Sequence, residues 1–553
     1  MTLPTALPAG PVFVQPLTPV GGSLLMSFFV AAVPIAVALV MLGVLRRPAW
    51  QASLAGLVAG LLIALGLWGM PAGLAFNAVS AGMALALMPV MWIVFTALLL
   101  YNVAVKSGRF EQFRQWMLDH LPDDRRLVLV VVAFSFGCLL EGIAGFGTPV
   151  AISSALLISL GFPPIEALTY TLIFNTAPVA FGALGVPITV LGSVTSLHPD
   201  TLGAMVGRQL PFFAFLMPFY VVGMYGGMKS IGKLWPALAV SGGSFALTQF
   251  VTSNFISYQL TDVLASLVSL IVTVGFLKLW KFEPDPAFAV VRSKAAERGA
   301  ARAGFGGWLP WVVVSVVVIL WINFKVTLIG TVHVHWPRLD NSVFISLYKK
   351  PYAAVWDFQP LGTGTAILVS AIITALWTRT GLMDFLGCVA QTWRQTWIAI
   401  ITVMMIVGLA FLLTYSGMSY TLGLGVASVG AFFPLVSAFL GWIAVFLSGS
   451  DTSGNALFGN LQVVAAKQLN LNPVLMAATN SSGGVMGKMI SPQNISTGVS
   501  TTALKGQEGV VFARTFWHSV LLTVLLGVLV FLQQHVLHRM IPTPPEPPAV
   551  SVK

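Results

Sequence analysis

Three ionisable residues stand where such residues are expensive. Glu141 lies in LLEGIAGFGTP (139–149), Asp451 in SGSDTSGN (448–455) and Lys488 in GGVMGKMISPQN (483–494), each within an otherwise apolar region. Between residues 127 and 207 the only charged side chains are Glu141, Glu166 and Asp200; between 395 and 504 they are Asp451, Lys467 and Lys488. Glu166 follows GFPP at a helix start, where an acid complements the helix dipole. Asp200 falls in a loop, and Lys467 sits at a helix end within reach of the interface. A charge in mid-membrane costs roughly 2.5–3.5 kcal/mol on insertion scales and usually faces a cavity or a partner. Lys488, helped by helix N-termini, has the chemistry to hold a small anion. Glu141 first, and Asp451 second, have the chemistry to carry a coupling proton, because burial favours a neutral acid over a carboxylate. Bland readings stand beside these: a structural ion pair or a neutral acid at Glu141, an N-cap at Asp451, and snorkelling to a surface at Lys488.

The neighbours of these residues are hydroxyls and amides. Asn175, Thr176, Ser450, Thr452, Asn455, Asn480, Ser481 and Gln493 join Lys488 as candidate ligands, with Asn175, Asn480, Ser450 or Thr452 suited to a substrate hydroxyl. Singly, each is a common helix–helix hydrogen bond. Together they collect at glycine- and proline-rich interruptions, and a helix broken inside a membrane survives only where protein or a wet cavity satisfies its freed backbone groups.

The elements that must position them read as two copies of one unit. GIAGFG (142–147) matches GNALFG (454–459) at four of six positions, and each copy is followed by a proline turn and a second interruption, NTAPVAFG from Asn175 and NSSGGVMG from Asn480. Paired broken segments in two halves point to a transporter's midplane site. The repeats are expected at 126–195, built from helices near 126–141, 148–161 and 166–195, and at 445–503, with helices near 452–468, 473–487 and 491–503. The first transmembrane half runs over 24–280 and the second over 308–537.

Composition sets the class. The 553 residues are 57% hydrophobic and 8% charged, against about 25% charged in a soluble globule. Continuous apolar runs of about 20 residues exclude a barrel, whose strands alternate. The expectation is an all-α, polytopic membrane protein with 12 to 14 crossings, broken helices and re-entrant hairpins. The net charge of +11 does not indicate nucleic acid, since the basic residues flank apolar runs. Arg46 and Arg47 follow the first helix, and six Lys/Arg lie between 278 and 302. This places 1–23 outside, 281–307 inside as a basic linker, and 331–360 outside as a loop; the Pro-rich tail 538–553 reads as disordered. Cys138 and Cys388 lie in apolar runs with neither metal-ligand nor disulfide spacing. The seven histidines, His120, His198, His333, His335, His518, His535 and His538, all miss the interrupted motifs, which argues against an intramembrane enzyme. No cofactor and no metal is expected.

LLEGIAGFGTPVAI, NTAPVAFGALGVPI, GSDTSGNALFGNLQ and NSSGGVMGKMISPQNI resemble the bacterial lactate permease family, and the similarity runs from about residue 24 to 534. The resemblance implies a cytoplasmic-membrane permease that imports L-lactate, often also D-lactate and glycolate, with protons. It implies a wider superfamily, some members of which have inverted repeats and re-entrant hairpins and move substrate by an elevator motion. Residues alone leave open sodium coupling, passive transport of another small organic anion, the preferred 2-hydroxy acid and a homo-oligomeric state.

Overall fold

A computed structural model describes residues 13–45, 47–143, 148–283, 285–290, 305–502, 504 and 507–543. With mean hydropathy +0.90, the backbone must satisfy its own hydrogen bonds, and it does so as helix. Among the described residues, ten helical stretches are long and apolar enough to cross a bilayer, or eleven if the bent pair Pro164–Phe174 and Val179–Thr195 is one span. The chain is a multi-pass helical membrane protein. That count is below the 12 to 14 crossings expected, for two physical reasons. Several of the expected helices are short ones inside the bundle, such as Pro473–Lys488 and Pro492–Thr501. Another stretch, Pro199–Ile256, counts as one although its long helix Leu210–Val251 turns back at Gly227, whose φ is 73°. Its two arms lie side by side, since a Cβ at Gly242 would collide with the Phe215 carbonyl.

The layers follow from burial. The span Arg125–Ile143 is wholly buried, whereas Leu24–Leu42, Ala49–Gly66 and Gly306–Asn323 are one-third buried. Outer helices therefore present side chains such as Leu25, Phe29, Leu62 and Trp517 outward, as lipid requires. The inner layer holds the two broken units. The first comprises Arg125–Ile143, the helix from Thr148 to Ser159, Pro164–Phe174 and Gly182–Thr195, with a 65° bend between the last two. The second comprises Phe433–Ser448, Asp451–Gln468, Pro473–Lys488 and Pro492–Thr501.

The breaks of the second unit are not at its repeat motifs. GNALFG and NSSGGVMG lie inside continuous helices, Asp451–Gln468 and Pro473–Lys488; the breaks fall at 449–450 and 489–491. Gly449 turns the chain with φ 71°, and Pro492 opens the next helix, where its missing N–H costs nothing. Glycines of NSSGGVMG serve packing instead, together with Gly441 on the facing helix. A Cβ at Gly441, Gly483 or Gly487 would collide with the carbonyls of Asn480, Ala438 or Trp442 respectively. The Phe433–Ser448 and Pro473–Lys488 helices thus touch backbone to backbone, as small-residue seams permit. Residues 144–147 of the GIAGFG motif, where the matching interruption is expected, lie outside the described residues, as do most of the 281–307 linker, the 544–553 part of the tail and residues 1–12.

Among the described residues, five short strands qualify the all-α expectation. Val332–His335 pairs antiparallel with Val355–Phe358 inside the 331–360 loop. Phe13–Val14 pairs parallel with Val343–Ile345, which also pairs with Lys350–Pro351. Phe13–Val14 and this loop therefore share one face of the molecule.

Candidate functional site

The breaks of both units meet at a cavity of about 50 Å³. Glu141, Gly182, Ala183 and Pro187 line it from the first half; Ser450, Asp451, Thr452, Lys488, Gln493 and Asn494 line it from the second. Lys488 Nζ donates to Glu141 Oε1 at 2.6 Å, across 347 positions of sequence. Asn175 Nδ2 donates to Glu141 Oε2 at 3.0 Å, so both carboxylate oxygens are held. Both partners are buried, Glu141 at 2% and Lys488 at 6% exposure. Lys488 occupies the last turn of its helix, where free carbonyls favour a cation. Gly182 makes room for the acid, since a Cβ there would lie 2.9 Å from Glu141 Oε1. Burying two ions costs several kcal/mol each, and only good geometry with further hydrogen bonds recovers it.

Asp451 is both cap-region acid and wall of the cavity. Ser450 caps the helix, its hydroxyl accepting from the Ser453 N–H, and Asp451 follows in the first turn. Asp451 Oδ2 accepts from Ser481 Oγ at 2.5 Å and from Asn455 Nδ2 at 3.3 Å. Asp451 Oδ1 has no hydrogen-bond partner and packs against Gly484, where any Cβ would meet it. Behind this wall the amides bind one another. Asn455 donates to the Pro187 carbonyl at 3.2 Å, and Asn480 donates to Asn455 Oδ1 at 3.0 Å. Gln462 donates to Asn480 Oδ1 at 3.3 Å.

The nine candidate ligands thus divide. Ser450, Thr452, Lys488 and Gln493 line the cavity. Asn175 reaches it through Glu141. Asn455, Asn480 and Ser481 stand behind the wall in the amide and Asp451 network, and Thr176 donates to the Ile173 carbonyl at 2.7 Å. Asn494 was not among the candidates, yet its amide donates to the carbonyls of Gly449 and Lys488, both at 3.3 Å, tying the two second-half breaks together. The SPQN sequence after the break was its available signal. Beyond Gln493 a wider cavity of about 380 Å³ opens, rimmed by Arg47, Pro48, Pro492 and Ser496.

Two further features carry no obvious sequence signal. Ala183, Leu184 and Gly185 are consecutively left-handed, with φ of 46°, 57° and 77°. Left-handed backbone costs an L-residue roughly 1–2 kcal/mol, so surrounding contacts must impose it. Tyr258 supplies one: a Cβ at Gly185 would lie 2.7 Å from its ring, and its hydroxyl is 3.0 Å from Thr189 Oγ1. The second feature is Asp262, which is fully buried with neither carboxyl oxygen hydrogen-bonded. It opens the helix Thr261–Leu279, a position where an acid reads as dipole compensation. Among the described residues, no group of three or more His, Cys, Asp or Glu could hold a metal ion.

Comparison with known proteins adds independent findings. The model of the L-lactate permease family matches residues 27–537. The glycolate permease GlcA of Escherichia coli (strain K12) is 41% identical, with 95% of this chain and 98% of that protein covered. The L-lactate permease of Bacillus subtilis (strain 168) is 40% identical, covering 96% and 99%; that of E. coli (strain K12) is 38% identical, covering 94% and 98%. The solved structure of Neisseria gonorrhoeae MtrF, described with a class of antimetabolite efflux pumps, matches with TM-score 0.50 at 14% identity. It covers 90% of this chain and 97% of that one, a likeness of fold alone.

Proposed function

The chain belongs to the L-lactate permease family, and from that premise we propose that it imports L-lactate, with D-lactate and glycolate, across the bacterial cytoplasmic membrane together with protons. The family is one of transporters, not enzymes. Relatives named for lactate and for glycolate match about equally well, which supports a site that accepts both acids. The two differ by one methyl group, worth only about 1–3 kcal/mol in a pocket.

The observation that carries the reading is the buried Lys488–Glu141 pair on the wall of a small cavity built from breaks in both halves. In this reading Lys488 is the carboxylate receptor and Glu141 its resting counter-ion. An arriving carboxylate takes Lys488 from Glu141, exchanging one anion for another without leaving the cation bare. Backbone N–H groups at the start of the Asp451–Gln468 helix add partial positive charge. Thr452, Ser450 and Gln493 offer hydroxyl and amide partners for the 2-hydroxyl. Asn455, Asn480 and Ser481 shape the wall through Asp451 rather than touching substrate. Glu141 is held by a cation and an amide, and Asp451 Oδ2 by Ser481 and Asn455, which favours a less engaged acid as the seat of the coupling proton.

The N-terminal segment and the 331–360 loop are assigned to the outside, in keeping with the basic 278–302 segment on the inside. The Arg47-rimmed cavity beyond Gln493 is then the cytoplasmic exit, and alternating access moves the repeat core as a body against the outer helices. The test is uptake of labelled L-lactate into vesicles under an imposed pH gradient, with short 2-hydroxy acids as competitors and choline replacing sodium in a parallel arm. Gradient-driven accumulation that glycolate competes and choline leaves unchanged is expected. Accumulation that requires sodium and ignores pH would overturn proton coupling.

A further inference from the structure

Asp262 is the acid that the mechanism above leaves unused. Its side chain is 0% exposed, and both carboxyl oxygens lack a hydrogen-bond partner. It is not remote from the site: a Cβ at Gly142, the residue after Glu141, would lie 2.7 Å from Asp262 Cβ. Glu141 and Lys488 are the charged groups that act on it, and the Cys138 thiol is a further titratable neighbour. Lys488 is engaged with Glu141, and the nearby Tyr258 hydroxyl with Thr189.

An unpaired carboxylate cannot rest there. Even in real proteins, where relaxation helps, burying an ion costs several kcal/mol. A neutral acid at the same place leaves only an unpaired hydroxyl and carbonyl, a smaller penalty of about 1–3 kcal/mol by protein mutational data. The same helix continues with Ser266, Ser269 and Thr273, all buried. With Asp262 they follow an i, i+4, i+7, i+11 pattern, one face of a helix about 16 Å long. Ser269 is 3.0 Å from Ser135 Oγ and donates to the Ser241 carbonyl at 3.1 Å; Ser266 and Thr273 hydroxyls have no partner. None of these three residues lines the substrate cavity, and none is hydrogen-bonded to Asp262.

We infer that Asp262 is the seat of the coupling proton, an assignment that rests on the proton-coupled reading above. Ionising Asp262 adds one negative charge to the cluster of Glu141, Asp451 and Lys488, and an incoming anion is repelled. Protonating it removes that charge, and Lys488 is freer to change partners. Proton and substrate therefore favour each other's binding, as reciprocal linkage demands. In the step itself one O–H bond forms on an Asp262 oxygen with a proton from outside and breaks to release that proton inside; nothing is oxidised or reduced.

The experiment reconstitutes full-length wild type and Asp262→Asn in proteoliposomes. It reads accumulation of labelled L-lactate under an imposed gradient of one pH unit, and counterflow exchange without a gradient. At one proton per anion, wild type accumulates lactate about tenfold. Asp262→Asn, locked in the neutral form, keeps counterflow and loses accumulation. An Asp262→Asn protein that accumulates lactate like wild type overturns the assignment while leaving proton coupling intact. A wild type indifferent to the gradient overturns the coupling reading, and the assignment with it. If Asp262→Asn loses counterflow as well, Asp262→Ser takes its place under the same criteria; loss of counterflow in both, with monodisperse protein, marks Asp262 as structural and overturns the assignment.

Discussion

The two broken units around the cavity are made by different means. In the second half the break is local. Gly449 takes the left-handed turn, Ser450 caps the following helix, and Asn472 and Pro492 open the next two. In the first half the break after Phe174 has no side-chain cap, and Ala183 and Leu184 are left-handed without being glycine. There the conformation is imposed from outside, by Tyr258 against Gly185 and by Glu141 against Gly182. A locally written break is a low-energy shape; an imposed one stores strain and depends on its neighbours. The first-half break is accordingly the side of the cavity expected to rearrange when substrate binds.

The largest test addresses the bond that joins the halves. Lys488→Met strands Glu141 as an uncompensated buried charge and should cost about 3–5 kcal/mol of stability, along with all uptake. Adding Glu141→Gln should restore most of the melting temperature and none of the transport. Recovery of uptake in the double variant would show that the pair is structural only. Next in size is Gly441→Ala in the second-half seam. Its methyl meets the Asn480 carbonyl, and overpacking of this kind costs roughly 1–3 kcal/mol, readable as earlier thermal unfolding in detergent. An unchanged melting point there would mean that the two helices are not in backbone contact.

Smaller effects separate the two breaks directly. Ser450→Ala removes a cap and should destabilise by about 1 kcal/mol. Ala183→Gly should act oppositely: relief of about 1–2 kcal/mol of left-handed strain outweighs the 0.5–1 kcal/mol entropic cost of glycine. Thermal melts of the two variants side by side check the contrast. If both lose stability equally, the first-half break is no more strained than the second.

The site was legible in part. Glu141, Asp451 and Lys488 were conspicuous because each is a charge in an apolar stretch, and all three line one cavity. Ser450, Thr452 and Gln493 followed from adjacency to a break. Asn455, Asn480 and Ser481 carry the same polar signal, yet their bonds are spent on one another and on Asp451, an outcome set by which helix faces meet. Asp262 escaped because an acid in a helix's first turn has an ordinary explanation, and only burial without partners removes it. The glycines of GNALFG and NSSGGVMG looked like helix breakers; in the fold, Gly483 and Gly487 of the second motif let backbones touch.

By itself, then, the sequence determined the solvent. With so few charges spread over so many apolar residues, the chain had to become membrane helices, and any stray charge had to find a partner or lose its charge. Family membership was equally visible, in contiguous motifs. Tertiary structure alone decided the partners: that Lys488 meets Glu141, that Gly142 packs on Asp262, and that Ala183 and Leu184 bend the unfavourable way. Hydropathy and local propensity act over one helix turn at a time. These pairings join residues hundreds of positions apart, and their energies exist only once the helices have packed.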